Sequence, residues 1–311
     1  MTGRKTGRMT GLALAALMMT LGEAQADVAG PKLLVRGAAA RIQIIPEDRT
    51  DIVATVSAAT GAAARLPAPE VRREGVNLVI DGKLQRRVRT CRSGGLGRTP
   101  SLVINGVGRV SAGDLPTITI RAPRDLVAEI ANAGQTAIGP TRNADVSFEG
   151  CGDAALAPVS GDLAVRLDGS GDVDFAAVGG RLVAQLDGSG DMRGAGVHGD
   201  AMLGLDGSGD LGVASVDGAL TAELDGSGDV VVASVNGPMT LSLDGSGDIL
   251  VRGGMAPRLV ARLDGSGDIA FLGVAGDVDA GLDGSGDIRV ARATGDVRKS
   301  KDGSGDITVG R

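Results

Sequence analysis

The chain has 311 residues with 52 Gly, three Phe, one His, two Cys and neither Trp nor Tyr, so a core organised around aromatic rings is excluded. Its 32 basic and 38 acidic residues leave a net charge of −6, and with so little aromatic surface there is no basis for nucleic-acid binding or base stacking. A composition 42% apolar and 23% charged is nonetheless that of a folding chain, not a disordered one.

Residues 1–26 read as a signal peptide. Arg4, Lys5 and Arg8 precede the apolar stretch 11–22, and Ala24-Gln25-Ala26 supplies the small-x-small pattern of a cleavage site. The competing reading, a membrane anchor, needs about 20 apolar residues, and this stretch is shorter. The mature chain is therefore expected to be exported, to the periplasm, the cell surface or the medium, and to carry no transmembrane segment.

Charge divides what remains. Residues 27–150 hold 17 basic and 12 acidic side chains, whereas 151–311 hold 12 and 25. Within the first part, short β-branched runs at 32–35, 41–45, 51–56, 77–80, 101–104 and 117–120 predict strands between Pro- and Gly-rich turns. Residues 27–130 are read as a β-rich N-terminal cap that merges into a repeat array.

From 131 onward that repeat takes over. Asp-Gly-Ser-Gly-Asp begins at Asp168, Asp187, Asp206, Asp225, Asp244, Asp264, Asp283 and Asp302, at intervals of 19 residues with a single interval of 20. A fixed period of this size marks a solenoid, in which each unit buries its apolar side only by stacking on the next. Apolar residues alternate on both sides of each corner (Val230 and Val232 after one, Met239, Leu241 and Leu243 before the next), and period two means strand. A second corner recurs at Gly199, Gly218, Gly237, Gly276 and Gly295, and no helical pattern fits between the two.

The predicted fold is all-β: a single-stranded parallel β-helix of about 19 residues per coil, right-handed because parallel crossovers nearly always are. Coils rise about 4.8 Å each. Residues 148–166 align as a degenerate coil, with Phe148 at the Leu position, Glu149 for the first Asp and Cys151 for Ser, and 130–138 as a more degenerate one. At the far end, Lys299 and Lys301 fall where other coils place inward Ala or Leu, a device that blocks edge-to-edge growth.

The repeated corner raises an electrostatic question. Gly is expected to supply positive φ there, and Asp and Ser to bond the turn's own amides. Stacked carboxylates about 4.8 Å apart repel by about 0.9 kcal/mol per gap even at the dielectric constant of water. Two offsets are available: local amide hydrogen bonds, or calcium held by paired columns such as Asp168, Asp172, Asp187, Asp191, Asp206, Asp210, Asp225 and Asp229. No other cofactor is indicated.

Two cysteines in an exported chain pair more often than they stay free, so Cys91 and Cys151 are expected to tie the cap to the first coil, with separate thiols as the alternative. His198, the one possible imidazole base, falls in a second-corner turn and is read as a surface residue. Paired carboxylates admit sugar chemistry in principle, yet eight identical pairs are architecture rather than one special site. The chain is read as no enzyme, with a calcium-binding solenoid and a polysaccharide-active enzyme as alternatives and an envelope protein or glycan as its partner class.

The once-per-coil GSGD corner followed by Val, Ile or Leu, the segment 117–123 (TITIRAP) and Glu149-Gly150-Cys151-Gly152-Asp153 resemble the auto-transporter adhesin head GIN domain family over most of residues 32–311. The resemblance implies a right-handed β-helix in bacterial envelope or secreted proteins and an adhesive role. It carries no catalytic residues.

Overall fold

The computed structural model describes residues 30–92 and 101–311, so the signal-peptide reading lies outside the described residues. The described chain is a parallel β-solenoid. The strand before each DGSGD corner pairs in register with its counterpart one coil on (Leu220↔Met239, Ala222↔Leu241, Leu224↔Leu243), and so does the strand after it (Val230↔Ile249, Val232↔Val251). A third face is held by narrower pairing, from the bridges Thr141↔Val159, Val159↔Val178 and Val178↔Val197 to the Val216↔Val235 register.

Six inward positions fill each shaft layer. In one coil they are Leu220, Ala222, Leu224, Val230, Val232 and Val235, every one at 1% exposure or less. Three faces enclose a shaft too narrow for rings in every layer, which accounts for the aromatic-poor composition. All three Phe nevertheless lie inside it: Phe148, Phe175 and Phe271 are buried. Phe175 is accommodated because its partner one coil on is Gly194, where the next coils place Val213 and Val232. A Cβ on Gly194 would lie 3.1 Å from Cδ2 of the Phe175 ring and closer still to its far edge.

The stack reaches further into the N-terminal part than a boundary at 130 allows. Lys32–Ala38 pairs in parallel with Asp125–Asn132, and Thr136–Ile138 with Arg41–Glu47, so residues 32–47 are themselves a coil. Beneath it, Asn77–Asp81 pairs with Lys32–Ala38 and Thr117–Pro123 with Arg41–Glu47. The chain thus lays its second coil first, departs to build the layer below and the cap, and returns to build upward. Sequence periodicity is blind to this, because these layers share no repeat with one another.

What remains of the cap is small. Glu70–Glu74 and Val53–Val56 add antiparallel edges at the base, and Val88–Arg92, Ser101–Ile104 and Gly108–Ser111 form a separate antiparallel sheet. That sheet has its own core of Leu84, Leu102, Ile104, Val110 and Leu115, packed against Ala39 and Ala133.

At the other end Lys299 and Lys301 pair with Ala280 and Leu282, the expected inward columns. Both are exposed there, and they fold over the shaft mouth. Lys299 Nζ donates to the Ile307 carbonyl at 2.9 Å, and Lys301 Nζ reaches Asp306 Oδ1 at 3.2 Å.

Candidate functional site

The DGSGD corners stack into one straight edge whose backbone holds itself. Each Ser amide donates to the first-glycine carbonyl of the coil below, from Ser170 N to Gly150 O at 2.8 Å through Ser304 N to Gly284 O at 2.9 Å. The glycines of the DGSGD corners do not adopt the expected positive φ; among the described glycines only Gly37, Gly61, Gly75, Gly106, Gly108, Gly150 and Gly254 do, Gly150 belonging to the degenerate corner 149–153. They are required for another reason. A Cβ on either corner glycine would collide with the carbonyl of the equivalent glycine one coil below, so only a bare Cα permits backbone to lie on backbone.

The two aspartates of each corner behave differently. The second accepts, through Oδ1, the amide of its successor: Asp191 N to Asp172 at 3.1 Å, Asp210 N to Asp191 at 3.0 Å, Asp268 N to Asp248 at 2.8 Å and Asp287 N to Asp268 at 2.7 Å. The ladder runs unbroken from Asp153 to Asp306. A hydrogen bond onto an ionised group contributes about 1.5–3 kcal/mol net, against about 0.9 kcal/mol of repulsion per gap. At the dielectric constant of water the accepted bond is therefore larger than the repulsion across its gap. The lowest member, Asp153, is half-buried. Burial, then the neighbouring Asp172 and Asp174, hold its carboxyl above the usual carboxylate range, opposed by the Asp172 amide.

A second ladder, not anticipated from sequence, runs along the other corner. Asn143 accepts from Asp162 N at 3.0 Å, Asp162 from Arg181 N at 2.8 Å, Asp200 from Ala219 N at 2.8 Å and Asp277 from Asp296 N at 2.9 Å. Its signal in the sequence is the set of Gly-Asp pairs at 161–162, 199–200, 276–277 and 295–296.

Asp172→Ala is expected to lower stability by about 1–2 kcal/mol, because the Asp191 amide loses its acceptor. Asp172→Asn, which keeps an oxygen in place and removes a charge from the column, is expected to stay within about 0.5 kcal/mol of the parent in urea melts. Equal losses in both variants would mean that charge, not the accepted bond, holds the edge.

The first aspartates (168, 187, 206, 225 and onward) are exposed, each two residues before the corner serine. The eight residues considered as calcium ligands thus fall in two files, one whose Oδ1 atoms accept backbone amides and one, exposed, without such a bond among the described residues. Among the described residues no three His, Cys, Asp or Glu side chains gather as a metal-holding group. His198 is exposed, its Nδ1 2.9 Å from Asp217 Oδ2 one coil on.

Cys91 and Cys151 are bonded, with Cα atoms 5.9 Å apart. This fixes the cap sheet against the corner edge. From Asp81 the chain climbs that edge: Gly82 N donates to Arg36 O at 2.9 Å and Leu84 N to Gly37 O at 3.0 Å. Lys83 and Arg86 take left-handed conformations, φ 58° and 57°, unusual for residues with a side chain. Between the climbing segment and the edge lies an open groove of about 1030 Å³ running from Gly37 past Gly150 and Ser170 to Ser208. It spans six coil levels, about 24 Å at 4.8 Å per step. A smaller cleft of about 600 Å³ lies on the next face, lined by Arg41, Gln135, Asp153 and Asp174 among others.

No family model matches the chain, and no curated protein does. Among solved structures it is similar to a crystal structure from Parabacteroides distasonis ATCC 8503 described as "Putative lipid binding protein", with a TM-score of 0.39 and 14% identity, covering 90% of this chain and 92% of that one.

Proposed function

We propose that this chain is an exported, non-enzymatic β-solenoid of the bacterial cell envelope, structural or adhesin-like, which works by holding a polar edge rigid rather than by converting a substrate. One observation carries the reading: the most repeated groups of the molecule are built into a straight scaffold. The first Asp of each corner is presented outward, while the second is committed to the backbone. Catalysis asks for a few converging groups with matched proton affinities; here identical groups are spread along a column.

Export is supported by the leader pattern of residues 1–26 and by the Cys91–Cys151 bond, since such bonds persist in oxidising compartments. Among the described residues no helix is long and apolar enough to cross a membrane. The resemblance to adhesin-head solenoids points the same way.

The test is fractionation of a bacterial host producing the full chain with a C-terminal tag, combined with thiol alkylation before and after reduction. The expected product is shortened by about 26 residues, lies outside the cytoplasm and labels at cysteine only after reduction. A full-length cytosolic product with free thiols would overturn the proposal.

A further inference from the structure

The groove beside the corner edge has two walls of unlike chemistry. One is the climbing segment, with Arg86 and Arg89. The other is the corner edge, with Glu149, Asp168 and the serine file. Among the described residues none of Arg86, Arg89, Glu149 and Asp168 enters an ion pair, although all line the same space. The segment bearing Arg86 is pinned on one side to the Gly37 carbonyl and on the other by the Cys91 bond, with a left-handed residue at Arg86 itself. Such a segment is fixed in place beside the edge at both of its ends.

We infer that this groove is a binding site for an extended, neutral, hydroxyl-rich chain: a glycan strand of four or more sugar units. The inference deepens the adhesin-like reading and rests on it for its biological setting. Charge selects the class. A polyanion entering the groove meets Glu149 and Asp168; a polycation meets Arg86 and Arg89. A neutral polyol satisfies both walls, since sugar hydroxyls donate to carboxylates and accept from guanidinium groups and serine hydroxyls. Shape selects an extended ligand, because the cavity is a trough about 24 Å long rather than a pit. The sequence has no Trp or Tyr and its three Phe are buried, so recognition proceeds by hydrogen bonds without a stacking platform.

The experiment is binding of the purified, oxidised chain to an array of neutral and acidic oligosaccharides of two to eight units, with a positively and a negatively charged peptide as controls. The expected result is retention of neutral glycans of at least four units. That retention should fall at least tenfold in Arg86→Gln/Arg89→Gln and also in Ser189→Trp, which fills the trough from the opposite wall. Unchanged thermal melts of both variants would certify the fold. Retention of acidic glycans or of a peptide in place of neutral ones, no retained glycan, or wild-type retention by both variants would each overturn the inference. Because it is done in vitro, a negative result leaves the fractionation outcome standing, and the converse holds.

Discussion

Gly209→Ala is expected to cost at least 3 kcal/mol and to leave little folded protein, although it adds one methyl group. The new Cβ would lie 2.7 Å from the Gly190 carbonyl carbon and nearer still to its oxygen, both backbone atoms with no rotamer to give. Overpacking against side chains typically costs about 1–3 kcal/mol; here relief requires prising two coils apart, which breaks the Ser208 to Gly188 bond and the Asp ladder beside it. Gly204→Ala is the control. Its nearest neighbour would be Gln185 Cγ at 3.9 Å, so the substitution should be neutral or gain about 0.4–1 kcal/mol by restricting the unfolded chain. Gly209→Asn separates close approach from backbone conformation. Asn tolerates positive φ and would be accepted if φ were the requirement, whereas close approach makes it as damaging as Ala. Urea midpoints of the three variants decide the matter.

Replacing Cys91 and Cys151 by Ser is expected to remove about 4 kcal/mol, the chain-entropy value for a bond closing about 60 residues. The loss should be local. A solenoid distributes its stability among neighbouring layers, and the bond joins the cap sheet to a single corner. The cap's own core rests on five large side chains, Leu84, Leu102, Ile104, Val110 and Leu115, which is little to hold three short strands unaided. The double variant should therefore melt in two steps, an early one carrying residues 82–116 and a late one close to the parent. Limited proteolysis should first cut between 82 and 116. A single transition lowered as a whole would show that the cap and the shaft cooperate more tightly than their contacts suggest.

The architecture from Phe148 onward is legible because the repeat aligns itself: Phe148 over Leu167, Glu149 over Asp168 and Lys299 over Ala280 are the pairings that periodicity alone predicts. Legibility stops where the period does. Lys32–Ala38 is a coil strand whose partners lie 45 and about 95 residues away, and nothing local in its sequence says that it will be enclosed between them. The strands Val88–Arg92 and Gly108–Ser111 escape a pattern reading because Arg, Thr and Gly interrupt their alternation. The corner glycines are recognisable as necessary, but on a conformational ground, when the cause is a neighbour 19 residues back. The groove is invisible for a related reason: its walls, Arg86 and Ser189, are about 100 residues apart, brought together by a bond that spacing alone could suggest but not orient.

The amide-to-carboxylate ladder has a sense of direction. Each second aspartate accepts, through its side chain, the amide of the aspartate one coil toward the C-terminus, so a finished coil presents a row of side-chain acceptors to the next one, while the main-chain carbonyl of that next aspartate accepts an amide in return. A polypeptide made from its N-terminus accordingly finds a prepared acceptor row waiting for every 19 residues it adds. From Asp153 onward, assembly can run like a ratchet, with the order of synthesis and the order of closure the same.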